Sequence, residues 1–255
     1  DNRDNRKLAE VKDFYRKLKS IDAVCGAENA AAFALVKDYD NVWDTEVDAW
    51  HKRVAEKSEM EIFVASELCH TPYDIVYLQD DSELSDLSKY PVLIYPHPTI
   101  MDEKRAGLLK RYVENGGTLV IGCRSGYKDK NGRCVMMPQP GLLAEITGSD
   151  VRDFTFASPA EEKVWALCGE EKIEMPLFND VPEPHDDSEA IAVYGNNYFA
   201  GKAAITEKTL GQGRAIHLGS TFSRKNVRWL FTYLGIREPF ADFIDAPETL
   251  EVVMR

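Results

Sequence analysis

The chain has 255 residues, of which 44% are hydrophobic and 29% charged, so it contains enough apolar sequence to bury a sizeable core. Its 31 basic and 43 acidic residues give a net charge of −12, which argues against nucleic acid or an anionic membrane as a partner. No apolar run approaches the roughly 18 residues that a membrane helix needs. No signal peptide is visible either, so we expect a cytoplasmic protein.

The chain contains five cysteines, and no two of them have the Cys-x-x-Cys spacing of a zinc site. They are widely spaced, at Cys25, Cys69, Cys123, Cys134 and Cys168. An odd number at such spacing does not fit a disulfide framework and favours a reducing compartment. We therefore expect no bound metal and no cofactor.

The first half of the chain alternates predicted helices with predicted strands. An amphipathic helix without an N-cap residue is expected at residues 8–19, and a polar helix at 49–69. Asp102 is expected to cap a third helix, which ends near Asn115. Short apolar runs predict core strands at residues 30–36, 73–78, 91–96 and 118–121, whereas the acidic stretch 80–90 is expected to form turns. This alternation is typical of βαβ units on a parallel sheet.

Residues 108–126 contain the clearest local pattern. Apolar residues at helical spacing are followed by Gly116 and Gly117, which end the helix because glycine accepts a left-handed backbone. Residues 118–121 form a β-branched run without polar alternation, as expected of a strand that is buried on both faces in a parallel sheet. Cys123 then lies at the carboxyl end of this strand, where open α/β sheets bind ligands.

The second half departs from this regular alternation. Residues 127–140 form a long irregular segment, and loops of that length are usually functional or interfacial. A short helix at 141–148 follows, and the glycines at 211 and 213 precede a strand, which indicates a turn and not a phosphate-binding loop. Further strands are predicted at 153–156, 164–168, 173–178, 190–194, 198–204 and 215–218, with a helix at 223–234 and the beginning of a strand at 251–255. The strands between 151 and 204 are expected to form an antiparallel insertion.

Several short blocks occur in a characteristic order along the chain. They are Asp-Tyr-Asp-Asn-Val-Trp at 38–43, the block at 86–96, Val-Glu-Asn-Gly-Gly-Thr-Leu-Val at 113–120 with Arg-Ser-Gly at 124–126, Pro-Gly-Leu-Leu at 140–143, and Leu-Gly-Gln-Gly-Arg at 210–214. No single block is specific, but the ordered set resembles the middle, trimerisation domain of glycoside hydrolase family 42 β-galactosidases. The resemblance covers nearly the whole chain.

This resemblance implies a flavodoxin-like (class I glutamine amidotransferase-like) parallel sheet with helices on both faces and an antiparallel β insertion. It implies three parts: residues 1–28, a linker helix from an upstream catalytic barrel; 29–238, the trimerisation domain; and 239–255, the start of a C-terminal β-domain. It also implies a non-catalytic scaffold within an enzyme that hydrolyses terminal β-D-galactosides with retention, using two glutamates on the barrel. A barrel needs roughly 250 residues of its own, so no glutamate here takes the catalytic role.

The implied partners are copies of the same chain in a homotrimer and the catalytic barrels of the same and neighbouring subunits. The galactoside substrate would be a partner only indirectly, at the wall of a neighbouring barrel's pocket. Candidates for an interface or for that wall are Trp43, Trp50, His97 and Arg124, since aromatic residues are enriched in interface centres.

Two alternatives belong to other classes of protein. The first is a free-standing amidotransferase-like hydrolase with Cys123 as nucleophile and His217 as base, because these residues follow strands at the corresponding places. Such a cysteine requires a lowered pKa and a base within hydrogen-bond reach. Cys123 leads into a polar loop instead of a helix, and no acidic residue near His217 in the sequence is available to orient it. A buried structural cysteine is therefore expected, and no catalytic residue is assigned.

The second alternative is a carbohydrate-binding module.

The remaining histidines do not indicate a metal site. His51 and His70 flank the polar helix and are expected at the surface. His185 lies beside Asp186 and Asp187 in what we interpret as a solvated acidic loop.

Overall fold

The computed structural model describes residues 5–158, 163–252 and 254 of the chain. Within these residues the strands are β1 (Phe33–Lys37), β2 (Tyr73–Tyr77), β3 (Val92–Tyr95), β4 (Thr118–Ile121), β5 (Ser149–Ala157), β6 (Trp165–Cys168), β7 (Glu171–Glu174), β8 (Leu177–Pro184), β9 (Glu189–Tyr194), β10 (Ala203–Leu210) and β11 (Gly213–Leu218). The helices are α1 (Arg6–Leu18), α2 (Tyr39–Asp44), α3 (Ala49–Leu68), α4 (Leu84–Ser88), α5 (Glu103–Glu114), α6 (Ala144–Thr147) and α7 (Arg224–Leu234).

Five strands run parallel to one another in the order β2-β1-β3-β4-β11. This is the doubly wound order of flavodoxin-like folds, in which the direction of winding reverses beside the first strand. All four residues of β3 are buried, and only Thr118 of β4 is partly exposed. The predicted fold class is confirmed, and the apolar runs of these strands are explained by helices that cover both faces of the sheet.

Alternate residues of each parallel strand point to opposite faces of the sheet. In β1, Phe33 and Leu35 join the core beneath α3 and α7, whereas Ala34 and Val36 join the core beneath α5. The Gly-Gly stop lies between α5 and β4 as predicted, with Gly116 at φ +107°. A Cβ atom on Gly117 would lie 2.2 Å from the Tyr112 ring, so this position requires glycine to let the strand pass the helix.

Four antiparallel strands extend the sheet beyond β11 in the order β10-β9-β6-β7. The remaining two strands, β5 and β8, pair with each other as a separate antiparallel ribbon. This ribbon contributes aromatic side chains to the carboxyl end of the parallel strands.

Several predicted elements are wrong in this half. A strand was predicted at 198–204, but the strand in this region, β10, begins only at Ala203. The connection between β9 and β10 is therefore longer than predicted, and the two strands pair with each other. The strand predicted at 173–178 is divided, because Met175 and Pro176 separate β7 from β8. Most of β8 was not predicted, because Asn179, Asp180 and two prolines are residues typical of a loop. The prolines are tolerated because β8 belongs to a two-stranded ribbon and is therefore an edge strand.

Three smaller predictions also need correction. The stretch 80–90 contains a short helix, α4. Helix α1 does have a cap, because the Asn5 side chain accepts a hydrogen bond from the Leu8 backbone N–H at 3.0 Å. Residues 251, 252 and 254 are outside any strand, and the other two residues of the predicted terminal strand lie outside the described residues.

Candidate functional site

Cys123 follows β4 at the carboxyl end of the parallel sheet, where sequence analysis places it. Its side chain is fully buried, and burial together with the negative charge of Asp180 raises the pKa of the thiol well above its ordinary value. A catalytic cysteine needs the opposite shift, because the thiolate is the nucleophile. The sulfur is therefore held as a neutral, enclosed thiol.

The imidazole nearest to this thiol belongs to His97, which follows β3. Its Nδ1 lies 2.8 Å from the Cys123 carbonyl oxygen, so Nδ1 carries the proton and donates it. Its Nε2 then accepts from the Ser58 hydroxyl at 2.7 Å. Burial lowers the pKa of His97 to about 3. The sulfur lies 3.8 Å from Nδ1, but both ring nitrogens are already engaged, so His97 offers the thiol no free proton acceptor.

His217 occupies the last part of β11 and is fully buried. Its Nδ1 lies 3.2 Å from the Ser149 hydroxyl, and its Nε2 lies 3.8 Å from an Asp180 carboxylate oxygen. Sequence analysis found no acid near His217, whereas in the fold β8 brings Asp180 close to it, although no hydrogen bond joins the two side chains in the described residues. Asp180 instead accepts the Arg124 backbone N–H at 2.8 Å. No hydrogen bond joins His217 to Cys123 in the part of the chain that the structure describes.

This geometry makes a direct prediction about thiol chemistry. When the folded chain is treated with iodoacetamide, the exposed Cys25 and Cys134 should be alkylated, whereas Cys123 should stay unmodified until denaturant is added. Peptide mass spectrometry measures each site separately, and the two exposed cysteines serve as internal controls. Alkylation of Cys123 in the folded chain at the rate of the exposed cysteines would contradict the enclosed geometry.

His51 and His70 are not at the surface, contrary to expectation. His51 is 1% exposed; its Nε2 donates to the Asn41 carbonyl oxygen and its Nδ1 accepts from the Thr99 hydroxyl. The burial of His51 could have been predicted from the helical spacing that it shares with Val54 and other inward residues of α3.

His70 is buried at the end of α3, with Nε2 3.3 Å from the Ala246 carbonyl oxygen. His185 is partly exposed and lies 3.5 Å from Asp150. Among residues 5–158, 163–252 and 254, no group of three or more His, Cys, Asp or Glu side chains is arranged to hold a metal ion.

A buried ionic network closes the carboxyl end of β1. Asp38 is almost fully buried, accepts from the backbone and side-chain N–H groups of Asn41 at 2.8 and 2.7 Å, and accepts from the Tyr95 hydroxyl. Arg105, on α5, supplies the compensating charge, with Nη1 3.5 Å from Asp38 and Nη2 2.5 Å from Asp40. The network joins β1, α2, β3 and α5. Sequence analysis did not identify it.

A second charged cluster lies between α3 and the irregular loop. Lys128 Nζ binds both oxygens of Asp44 and one oxygen of Asp48, each at 2.8 Å. Asp48 also caps α3 and accepts from Arg124 Nη2 at 2.9 Å. Burial alone would raise the pKa of Asp48, but these hydrogen bonds and positive charges lower it to about 2. The cluster therefore consists of two cations, Arg124 and Lys128, that are paired with two anions, Asp44 and Asp48.

Above this cluster is an open cleft of about 420 Å³, which we call the Trp50–Arg124 cleft. Its walls include Trp50, Arg124, Tyr127, Gln139, Phe154 and Phe156. The structure thus brings together two of the four candidate residues, Trp50 and Arg124. His97 lies apart, in a small crevice of about 130 Å³ that it shares with His51 and Tyr95.

Trp43 lies on a different surface. It is 65% exposed on α2 and neighbours Tyr39, which in turn stacks on Tyr77 of β2 with ring centroids 5.0 Å apart. We call Tyr39, Val42, Trp43, Val47 and Tyr77 the Trp43 surface. All five side chains are exposed, although they are apolar or aromatic.

The fold and its enclosed cysteine define a flavodoxin-like domain with an antiparallel extension and no assembled nucleophilic centre among the described residues. The sequence model of the beta-galactosidase trimerisation domain of glycoside hydrolase family 42 matches residues 31–238. The chain therefore belongs to this family, as the resemblance in its sequence indicated.

Curated relatives and solved structures agree with this assignment. Beta-galactosidase LacA of Lactobacillus acidophilus is 28% identical over 253 residues, which cover 98% of this chain and 37% of that protein. Beta-galactosidase BgaB of Geobacillus sp. is 25% identical over 256 residues, with 100% and 37% covered. A beta-galactosidase structure from Bacillus circulans sp. alkalophilus aligns with a TM-score of 0.80 at 20% identity, over 98% of this chain and 37% of that one, and shows the shared fold.

The chain thus spans a little over a third of the length of the relatives it matches. Separately, none of the described helices is long and apolar enough to cross a membrane.

Proposed function

We propose that this chain is the oligomerisation domain of a retaining β-galactosidase and that it assembles with two further copies into a homotrimer. The observation that carries the proposal is the family match over residues 31–238. The closed surroundings of Cys123 support a scaffold and do not favour the amidotransferase-like alternative. Hydrolysis of terminal β-D-galactosides would then be carried out elsewhere in the parent enzyme.

Helix α1 supports the proposed division of the chain. It contains no buried residue, although Leu8, Val11, Phe14 and Tyr15 form an apolar stripe along it. A stripe of this kind normally packs against another element. We infer that residues 1–28 connect to an upstream catalytic barrel that covers the stripe, that 29–238 form the assembly domain, and that 239–255 begin a C-terminal β-domain.

We assign the contact between copies to the Trp43 surface. It lies beside β2, the outermost parallel strand among the described residues. Contiguous exposed apolar side chains of this kind mark interaction sites, and aromatic residues are enriched at the centres of interfaces. We propose Trp50 and Arg124 as part of the pocket wall of a neighbouring barrel. His97 is assigned a structural role, because both of its ring nitrogens are already hydrogen-bonded within the domain.

A substitution at the centre of the Trp43 surface tests this assignment. Trp43→Asp should reduce the sedimentation coefficient of the chain to that of a monomer, because a central interface tryptophan commonly contributes about 2 kcal/mol or more to association. Tyr198→Asp is the matched control, since Tyr198 is equally exposed but lies on the antiparallel half. If the Trp43 variant assembles as well as the control, the interface lies elsewhere.

The five free cysteines, two of them exposed, are consistent with a reducing compartment, and we propose a cytoplasmic location.

A further inference from the structure

The Trp50–Arg124 cleft lies where α/β sheets bind ligands, at the carboxyl end of the parallel strands. Trp50 opens α3, which follows β1 and α2, and Arg124 follows β4. The irregular loop at 127–140, which the sequence marks as functional or interfacial, supplies Tyr127 and Gln139. The volume of about 420 Å³ falls within the range of small-molecule pockets, roughly 300–1,000 Å³.

The apolar walls of the cleft are aromatic and partly open. Trp50 and Phe154 are each about half exposed. Trp50 is held edge-on against Phe156 with ring centroids 4.6 Å apart, and Phe154 stacks on Phe178 at 5.6 Å. Rings that are fixed in this way present electron-rich faces, which attract the C–H groups on the apolar face of a sugar ring.

The polar group of the cleft is Arg124, which is 92% buried. It adopts a left-handed backbone at φ +60°, a conformation that costs roughly 1–3 kcal/mol in a residue other than glycine and that clusters at functional sites. Nη2 binds Asp48, and the guanidinium packs over the rings of Tyr127 and Phe178. Nε is buried without a hydrogen-bond partner among the described residues. Nη2 is the guanidinium nitrogen that makes a hydrogen bond there, which leaves Nη1 available to a ligand.

The charge of Arg124 is already balanced. Asp44 and Asp48 offset Arg124 and Lys128 within the cluster beneath the cleft. One further cation, the exposed Arg53, lies over the Trp50 ring at 5.3 Å from its centroid, and solvent screens its charge. An anionic ligand would therefore gain little net attraction, whereas the free Nη1 donor and the Gln139 amide can still bind neutral hydroxyl groups. Aromatic faces combined with uncharged hydrogen-bonding capacity suit a neutral polyhydroxylated ring.

We propose that the Trp50–Arg124 cleft is a binding site in its own right for a neutral pyranose, with Trp50 stacking on the sugar and Arg124 Nη1 and Gln139 contacting its hydroxyl groups. The choice of a galactoside as the probe rests on the proposed function, but the site itself is inferred from the cleft. The site would give the domain an affinity for sugar that does not require a catalytic barrel.

Titration of the 255-residue chain with methyl β-D-galactopyranoside tests this proposal, with binding followed through ¹⁵N–¹H NMR shifts. We expect saturable shifts at the Trp50 indole and the Gln139 side-chain amide, with a Kd on the order of 1 mM, as is usual for so small a ligand. Trp50→Ala should weaken binding at least about tenfold. Gln139→Ala should weaken it several-fold without disturbing the fold, because Gln139 is anchored only through its backbone.

Two controls make the outcome decisive. Phe63→Ala removes an exposed aromatic ring outside the cleft and should leave the affinity unchanged. Galacturonate should bind no more than a few-fold more tightly than the neutral sugar, since the buried cluster has no net charge and the charge of the exposed Arg53 is screened by solvent.

The proposal is overturned if shifts fail to saturate by about 100 mM, if both cleft variants bind like the native chain, or if galacturonate binds tenfold more tightly. A trimer that binds no sugar would refute the cleft site alone, whereas a sugar-binding monomer would refute the assembly proposal alone.

Discussion

Replacing Arg105 by methionine is expected to lower the free energy of unfolding by about 3–5 kcal/mol. Methionine is unbranched but shorter than arginine, and it leaves the carboxylate of Asp38 almost fully buried without its cation. Tyr95 and Asn41 would still donate hydrogen bonds to Asp38, but neither of them carries a compensating charge. Urea-induced unfolding at pH 7 measures the loss.

Two further variants separate the buried charge from the mere loss of an ion pair. Arg237→Met breaks the exposed pair with Asp242 and should cost less than about 1 kcal/mol, because solvent screens that interaction. Adding Asp38→Asn to Arg105→Met removes the orphaned charge, so the double variant should be less destabilised than the sum of the two single ones. A loss below about 1 kcal/mol for Arg105→Met alone would show that the network does not stabilise the domain.

Gly126→Ala should strongly destabilise the fold immediately before the irregular loop. A Cβ atom there would lie 1.8 Å from the Pro140 carbonyl oxygen, and the backbone has a φ of +62°. The blocking atoms belong to the backbone, so no side chain can rotate away from the clash. We expect a loss of about 2–5 kcal/mol, the sum of overpacking and of left-handed strain.

Gly132→Ala is a matched control within the irregular loop. Gly132 has a φ of +73°, but no atom lies within 4 Å of the position that its Cβ would take. This variant should therefore cost only the strain of the left-handed backbone, about 1–2 kcal/mol. Equal losses for the two glycines in urea unfolding would mean that the contact between Gly126 and Pro140 does not hold the loop in place.

The parallel half of the fold could be predicted because its local signals agree with its tertiary environment. The Gly-Gly stop and the β-branched run after it are specified by the backbone and burial demands of one turn and one strand. The antiparallel ribbon is different, because β8 contains Asn179, Asp180 and two prolines and is stabilised by pairing with β5 and not by its own pattern. The segment forms a strand because it pairs with β5, and its own sequence does not indicate this.

The candidate site divides in the same way. The local sequence pattern predicts that Cys123 lies at the end of a strand. The helical spacing of the buried residues of α3 would likewise have predicted that His51 is buried. The proximity of His217 to Asp180 could not be predicted from the sequence, because the two residues are far apart in the chain and only the position of β8 in the ribbon brings them together. The cleft likewise gathers α3, the end of β4, the loop and the ribbon, and no local spacing indicates that they converge.

The solution mass of the native chain tests the central claim most directly. Sedimentation equilibrium at concentrations up to about 0.1 mM should give a species of three times the 28.8 kDa of one chain. The mass should fall toward that of a single chain on dilution or on introduction of Trp43→Asp. A mass of 28.8 kDa at every concentration would contradict the account of this chain as a trimerisation domain that assembles through its own surface.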